Sequence, residues 1–287
     1  MKEIVVISGK GGTGKTSITA SFASLAKNAI LADCDVDAPD LHIIMTPKIL
    51  DQRPFHGSEL AIIDPDICTS CGACVEACRF EAISDEIEVD EYRCEGCGVC
   101  ALVCPSNAVK FEIKRSGTVF VSDTRFGPMV HAKLDPGEEV SGKLVSEVKK
   151  EVRDLAQKKG REMILIDGPP GVGCSVIATI SGADFIVVVT EPTISAIADM
   201  KRALDLADHF SIPSALCINK AGINPAKTQE IRDYCDRRGL QLLATLPYDH
   251  IITRAMLESK SVIELGESEM GSLIEDCWEK IQDRIGQ

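Results

Sequence analysis

The chain has 287 residues, 45% hydrophobic and 26% charged, which suffices for one large α/β domain with a smaller companion and needs no staples to hold a core. Its 44 acidic residues exceed its 31 basic ones, for a net charge of -13, a balance that opposes binding to the phosphates of a nucleic acid. No apolar run approaches the ~18 residues of a membrane span, and the apolar start is too short for a signal peptide, so the expectation is a cytoplasmic protein with neither nucleic acid nor membrane as partner.

In chain order, residues 4–7 are a short apolar run of strand type, and residues 18–27 read as a helix. Between them lies Gly9-Lys10-Gly11-Gly12-Thr13-Gly14-Lys15-Thr16-Ser17. It satisfies G-x-x-x-x-G-K-[ST], in which backbone N–H groups cradle phosphate oxygens, Lys15 meets the β/γ-phosphates and Thr16 holds Mg²⁺. The second position of the motif is a further lysine. GKGGTGKT resembles the deviant Walker A of the MinD/ParA/Mrp ATPases, which implies that Lys10 reaches across a homodimer interface to the partner's ATP. A solvated loop lysine is the bland alternative.

Residues 29–32 read as a second buried strand that delivers Asp33, Asp35 and Asp37 to its carboxyl end, where open α/β sheets bind ligands. The family resemblance implies switch I here, with Asp35 orienting the attacking water and Asp33 near Mg²⁺; ordinary turn-forming aspartates are the alternative. Residues 48–65, with Pro47 before them and Pro54, Gly57 and Pro65 among them, read as a connection without long elements.

Thirteen cysteines follow no secreted pattern, because eight of them fall into two runs. Cys68, Cys71, Cys74 and Cys78 are spaced C-x₂-C-x₂-C-x₃-C, and Cys94, Cys97, Cys100 and Cys104 repeat that spacing, closed by Pro105. The runs resemble those of bacterial two-cluster ferredoxins, in which the fourth cysteine of each run ligates the other cluster. That resemblance implies two [4Fe–4S] clusters, one on Cys68, Cys71, Cys74 and Cys104, the other on Cys94, Cys97, Cys100 and Cys78. Paired Cys₄ zinc sites are the rival, though zinc gives no reason for the triplet spacing. Arg79 stands where the ferredoxin pattern has proline, so a looser turn is expected there. Residues 109–113 alternate like a strand and return the chain to the main domain, as does the strand at 118–121.

Residues 124–133 read as a loop with a lone histidine, His131. A helix over 142–159 carries Leu144, Val148, Val152 and Leu155 on one face. Residues 163–171 form an apolar strand ending in Asp167, Gly168, Pro169, Pro170 and Gly171, similar to Walker B and switch II, which implies that Asp167 holds Mg²⁺ and Gly171 lies near the γ-phosphate. Cys174 opens the next helix. Strands at 184–190, 215–218 and 242–246 and a helix over 194–207 continue the alternation, and relatives use the positions of Asn219 and Pro247 for the adenine base. The segment 272–287 carries Leu273, Ile274, Trp278, Ile281 and Ile285 on one stripe with an acidic polar face, which suits packing on its own domain and not anionic lipid.

The expected architecture is α/β: a doubly wound, mostly parallel P-loop NTPase domain over residues 1–60 and 115–287, interrupted by a small α+β ferredoxin-like domain over 61–114. The expected function is that of a slow, Mg-dependent ATPase, Lys10, Lys15 and Asp35 being the catalytic side chains, whose nucleotide cycle gates electron transfer through two [4Fe–4S] clusters to an unknown redox partner. Two alternatives stand: an Mrp-type carrier handing an iron–sulfur cluster to an acceptor, and a spatial-positioning ATPase. For the carrier the expected C-x-x-C is lacking, Cys217, Cys235 and Cys277 reading as isolated, with Cys34 or Cys174 at a dimer face as substitutes.

Overall fold

A computed structural model describes residues 1–139 and 141–286. Residue 287, the end of the predicted C-terminal stripe, lies outside the described residues. The first half of the chain runs β1 (Lys2–Ser8), α1 (Lys15–Leu25), β2 (Ala29–Asp33), α2 (Leu41–Met45), β3 (Lys48–Phe55), β4 (Ser58–Ile63), α3 (Ala73–Ala77), α4 (Val99–Val103), β5 (Val109–Lys114), β6 (Gly117–Thr124) and β7 (Gly127–Leu134). The second half runs α5 (Ser141–Lys158), β8 (Met163–Pro170), α6 (Cys174–Ile180), β9 (Phe185–Thr190), α7 (Ile194–His209), β10 (Ser214–Ile218), α8 (Pro225–Arg238), β11 (Leu242–Thr245), α9 (His250–Leu257) and α10 (Glu269–Ile285).

Among the described residues, nine strands form one sheet in the order β11-β10-β9-β1-β8-β2-β7-β6-β3. The pairs β1–β8, β1–β9, β9–β10, β10–β11, β2–β8 and β2–β7 are all parallel. The expected α/β fold with a mostly parallel sheet is therefore what the chain adopts. The central strands are apolar on both faces because both are covered. Ile4 and Val6 of β1 join one buried cluster with Phe22 of α1 and Trp278 of α10, while α5 packs on β2 and β8 from the sheet, and α6 on β8 and β1. Trp278 meets Phe22 at 5.3 Å between ring centroids, so the C-terminal stripe packs on its own domain as expected.

The chain divides into two compact units, one of residues 1–52, 119–133 and 141–287, the other of residues 53–118 and 134–140. In the second unit β4 and β5 pair antiparallel over their whole length, beneath the short helices α3 and α4. The 26-residue repeat of the cysteines extends to the backbone. Ser70 and Gly96, Gly72 and Gly98, and Glu81 and Asn107 all have positive φ at equivalent positions.

Three expectations change. Residues 48–65 are not irregular: they hold β3 and β4, and Pro54 is tolerated because β3 is the edge of the large sheet. Residues 124–133 are not a loop but a turn followed by β7, whose Pro128, Met129, Val130, His131 and Ala132 are all buried. Nor does Arg79 loosen its turn. Cys78 before Arg79 (φ -77, ψ 102) and Cys104 before Pro105 (φ -77, ψ 111) have nearly the same backbone, because an extended ψ is open to any residue and proline only enforces it.

Candidate functional site

Parallel register brings the two aspartates at the carboxyl ends of β2 and β8 side by side, Asp33 opposite Asp167, with Val6 of β1 on the other flank of Asp167. Asp167 is fully buried. It accepts hydrogen bonds from Lys15 Nζ at 2.8 Å, Thr16 Oγ1 at 2.7 Å and Thr19 Oγ1 at 2.9 Å, all from the first turns of α1. Lys15 Nζ lies 3.9 Å from Asp35 as well. Burial alone would lower the Lys15 pKa, but Asp167, Asp33 and Asp35 together raise it, so this ammonium is fixed in its charged form.

Asp33 is treated differently. Its carboxylate accepts from the backbone N–H groups of Asp35 at 3.0 Å and Leu41 at 3.1 Å, which folds the Asp33–Asp40 loop over it. Burial and the adjacent Asp167 push its carboxyl well above the usual range. Asp35 is pushed up to about 6, mainly by burial and against the pull of Lys15.

A cavity of about 530 Å³ opens over these groups. Gly11, Gly12, Thr13, Gly14, Lys15, Thr16 and Ser17 line it with Asp35, Asp37, Pro169, Pro170 and Lys220, and Ile252 and Met256 of α9 close its apolar side. Gly9, Lys10, Asp33, Asp167, Gly171, Asn219 and Pro247 are not among its lining residues. Gly9 instead packs against α7, where a Cβ would stand 2.4 Å from that of Asp199. Gly14 is required twice: its φ is +85, and a Cβ would come within 2.3 Å of the Asn219 amide. Asn219 is buried and donates from Nδ2 to Thr13 O at 2.8 Å, so it braces the P-loop from behind.

Lys10 pairs within its own chain. Its Nζ lies 2.7 Å from Glu191 Oε1 and 3.4 Å from Ser195 Oγ. Glu191, at the end of β9, also accepts from Lys220 Nζ at 2.9 Å, and Lys220 donates to Gly12 O at 2.6 Å. Burial would raise the Glu191 pKa, but hydrogen bonds from Lys10 and Lys220 more than offset it. Sequence reasoning passes over Glu191 because Glu-Pro at a strand end resembles an ordinary turn. Its place after a strand neighbouring β1 is the signal that could have found it.

In the second unit the eight cysteines of the two runs gather into two cavities. Cys68, Cys71, Cys74 and Cys104 line one, and Cys78, Cys94, Cys97 and Cys100 line the other. Backbone N–H groups are aimed at sulfur in equivalent ways, Ala82 on Cys78 Sγ at 3.4 Å and Ala108 on Cys104 Sγ at 3.3 Å, while Ser70 donates to Cys68 Sγ at 3.4 Å. Among the described residues, no three His, Cys, Asp or Glu side chains converge as they would on one metal ion.

The remaining cysteines correct one expectation. Cys34 is fully buried and its thiol raised, chiefly by burial, so it does not present itself at a surface; Cys174 is exposed. Cys217 of β10 and Cys277 of α10, which form no C-x-x-C, are both buried, and the Cys277 thiol together with burial raises the Cys217 thiol. His131 is stacked on Phe120 at 4.9 Å and on His42 at 5.9 Å between ring centroids, a packing role. No helix among the described residues is long and apolar enough to cross a membrane.

Comparison with known proteins bears on the first of these sites. Residues 4–262 match the profile of the CobQ/CobB/MinD/ParA nucleotide binding domain. An uncharacterised protein of Methanocaldococcus jannaschii is 32% identical over 99% of this chain and 97% of its own. The septum site-determining protein MinD of Bacillus subtilis is 26% identical over 88% of this chain and 78% of its own. Among solved structures, MinD of Pyrococcus horikoshii complexed with Mg-ADP covers 99% of this chain and 97% of its own, with a TM-score of 0.60 at 19% identity.

Proposed function

The chain belongs to the CobQ/CobB/MinD/ParA nucleotide-binding family, and from that premise we propose that it is a Mg-dependent ATPase, active as a homodimer, whose nucleotide cycle gates electron transfer through two [4Fe–4S] clusters. ATP is favoured as the nucleotide by the P-loop cavity and by likeness to a MinD solved with Mg-ADP. Lys15 would carry the β/γ-phosphates and Lys10 would meet the nucleotide of a second copy. Thr16 and Asp167, already 2.7 Å apart, fit as the holders of Mg²⁺, which when bound would screen phosphate charge. Asp35, lining the same cavity, is the candidate for positioning water.

The observation that carries the redox half is the sorting of eight cysteines into two cavities with the fourth member of each run exchanged. Four thiols lining each cavity match in number the four corner irons of a [4Fe–4S] cube, and the C-x₂-C-x₂-C triplet, for which a single tetrahedral ion gives no reason, favours the cube. Held so, such clusters would supply one-electron chemistry, and the N–H groups on Cys68, Cys78 and Cys104 would help set their potentials. In this reading the ferredoxin-like domain is the segment 61–114.

Anaerobic purification with iron and sulfide counting, followed by redox titration monitored by EPR with and without Mg-ATP, tests both halves. Eight iron per chain and an ATP-dependent change of potential are expected. Iron near eight with a potential that ignores ATP would leave a cluster protein without gating, and zinc in place of iron would remove the redox reading. A positioning ATPase is the second reading, favoured by likeness to septum site-determining MinD. Co-sedimentation with DNA or anionic vesicles in the presence of ATP decides it.

A further inference from the structure

Arg125, in the turn between β6 and β7, has no part in the cavity yet its guanidinium meets six acceptor atoms. Its guanidinium forms a fork with the Glu264 carboxylate, Nε to Oε1 at 2.5 Å and Nη2 to Oε2 at 2.8 Å. The remaining contacts go to three backbone carbonyls and one hydroxyl, Nη2 sharing its two hydrogens among three acceptors. Nη2 donates to Ile44 O and Ser259 O, each at 3.0 Å, and Nη1 donates to Met45 O at 2.9 Å and Thr46 Oγ1 at 3.3 Å.

The backbone acceptors lie within five residues, along the chain, of residues that line the nucleotide cavity. Ile44 and Met45 end α2, which follows directly on the cavity-lining Asp37, Ala38 and Asp40. Ser259 lies just beyond α9, whose Ile252 and Met256 line the apolar side. Glu264 accepts from Ser261 N at 2.7 Å, and Ser261 Oγ is 2.6 Å from Ser24 Oγ on α1, the helix of the P-loop. Thr46 lies two residues before β3, by which the chain leaves the first unit, and Arg125 follows immediately on β6, by which it returns.

We propose that Arg125 is a positioning residue that ties the end of α2, the segment after α9 and, through Glu264 and Ser261, the end of α1 to the turn after β6, so that a nucleotide-dependent movement of those elements is transmitted along β3 and β6, the strands leading to the cysteine unit. The inference rests on the coupling reading above and adds the residue that carries it. A planar guanidinium suits this task because it holds a carboxylate with one edge and carbonyls with the others; a lysine ammonium cannot span the same set.

The test is hydrogen exchange on the full chain, wild type against Arg125→Ala and Arg125→Lys, with and without Mg-ATP, together with the Kd for ATP. In the wild type, ATP should change exchange at residues 46–58 and 114–124 by at least about fivefold, the low end of site-to-site coupling. Both variants should bind ATP within about threefold of wild type and lose that ATP-dependent difference. A merely structural role would raise exchange equally with and without ATP, leaving the difference intact, and that result overturns the inference while sparing the coupling. A wild type with no ATP-dependent difference defeats the coupling itself. Should Arg125→Ala fail to fold, Arg125→Lys, which keeps the charge facing Glu264, decides the matter.

Discussion

Lys10 is the residue on which a dimer switch would turn, and within the chain it is held by Glu191. A lysine that must reach another subunit has first to give up this pair, so Glu191 opposes dimerisation by whatever the pair is worth. With Lys10 about a third exposed, that is about 1 kcal/mol. A homodimer breaks two such pairs, so Glu191→Gln is expected to tighten ATP-dependent dimerisation by up to roughly thirtyfold in sedimentation equilibrium. Weaker dimerisation would show that Glu191 serves chiefly to order Lys220 against Gly12. His131 makes a different kind of prediction. Burial, with a smaller push from His42, lowers its pKa from 6.5 to about 4. Between those values the unfolded chain binds the proton and the folded chain does not, so stability falls as pH falls from 6.5 toward 4, by on the order of 2–3 kcal/mol. His131→Phe, which keeps the stack on Phe120, should show a shallower loss of Tm over that window than the wild type does.

At the scale of elements, α9 is the weakest wall of the nucleotide cavity. It is eight residues long and buries only Ala255, so little packing holds it and its cap matters. Asp249 supplies that cap, accepting from Ile251 N at 2.9 Å. Asp249→Ala should cost α9 about 1 kcal/mol and, because Ile252 and Met256 face the cavity, should raise the Kd for ATP by roughly fivefold while hardly moving the global Tm. Calorimetric titration and thermal unfolding on the same samples check the two halves. The strands β1, β2, β8, β9 and β10 are legible in the sequence because strands buried on both faces read as unbroken apolar runs. β3 and β7 are not. The exposed edge strand β3 carries Leu50, Asp51, Gln52 and Arg53 without a core pattern, and β7 opens with Gly-Pro, which reads as a turn until its neighbours bury it. The P-loop motif and the strand-end positions of Asp35 and Asp167 are legible because each is a local pattern in the chain. Glu191 and Arg125 act through contacts distant in sequence, 139 residues from Arg125 to Glu264 and 29 from Glu191 to Lys220, and no local pattern announces them.

On the scale of the whole molecule, the two units are held by different forces. The first unit has a large apolar cluster running from β1 through α10. The second has a core of Ala61, Cys74, Ile83, Cys100 and Val109, two of whose five members are cysteines that the cluster reading assigns to iron. A core that small cannot offset the ordering of some seventy residues, at ~1–2 kcal/mol of backbone entropy each, together with the left-handed backbone at Ser70, Glu81, Ile87 and Asn107. Metal–thiolate bonds are what would make up the difference. Removing iron with a chelator under reducing conditions should therefore unfold residues 53–118 alone. Hydrogen exchange should rise to near-unprotected rates across that segment, β1, β8 and β9 should keep their protection, and the Kd for ATP should stay within about threefold. Protection of residues 53–118 that survives complete loss of iron would mean that the polypeptide holds the unit by itself. The cysteines would then owe their arrangement to packing and not to clusters.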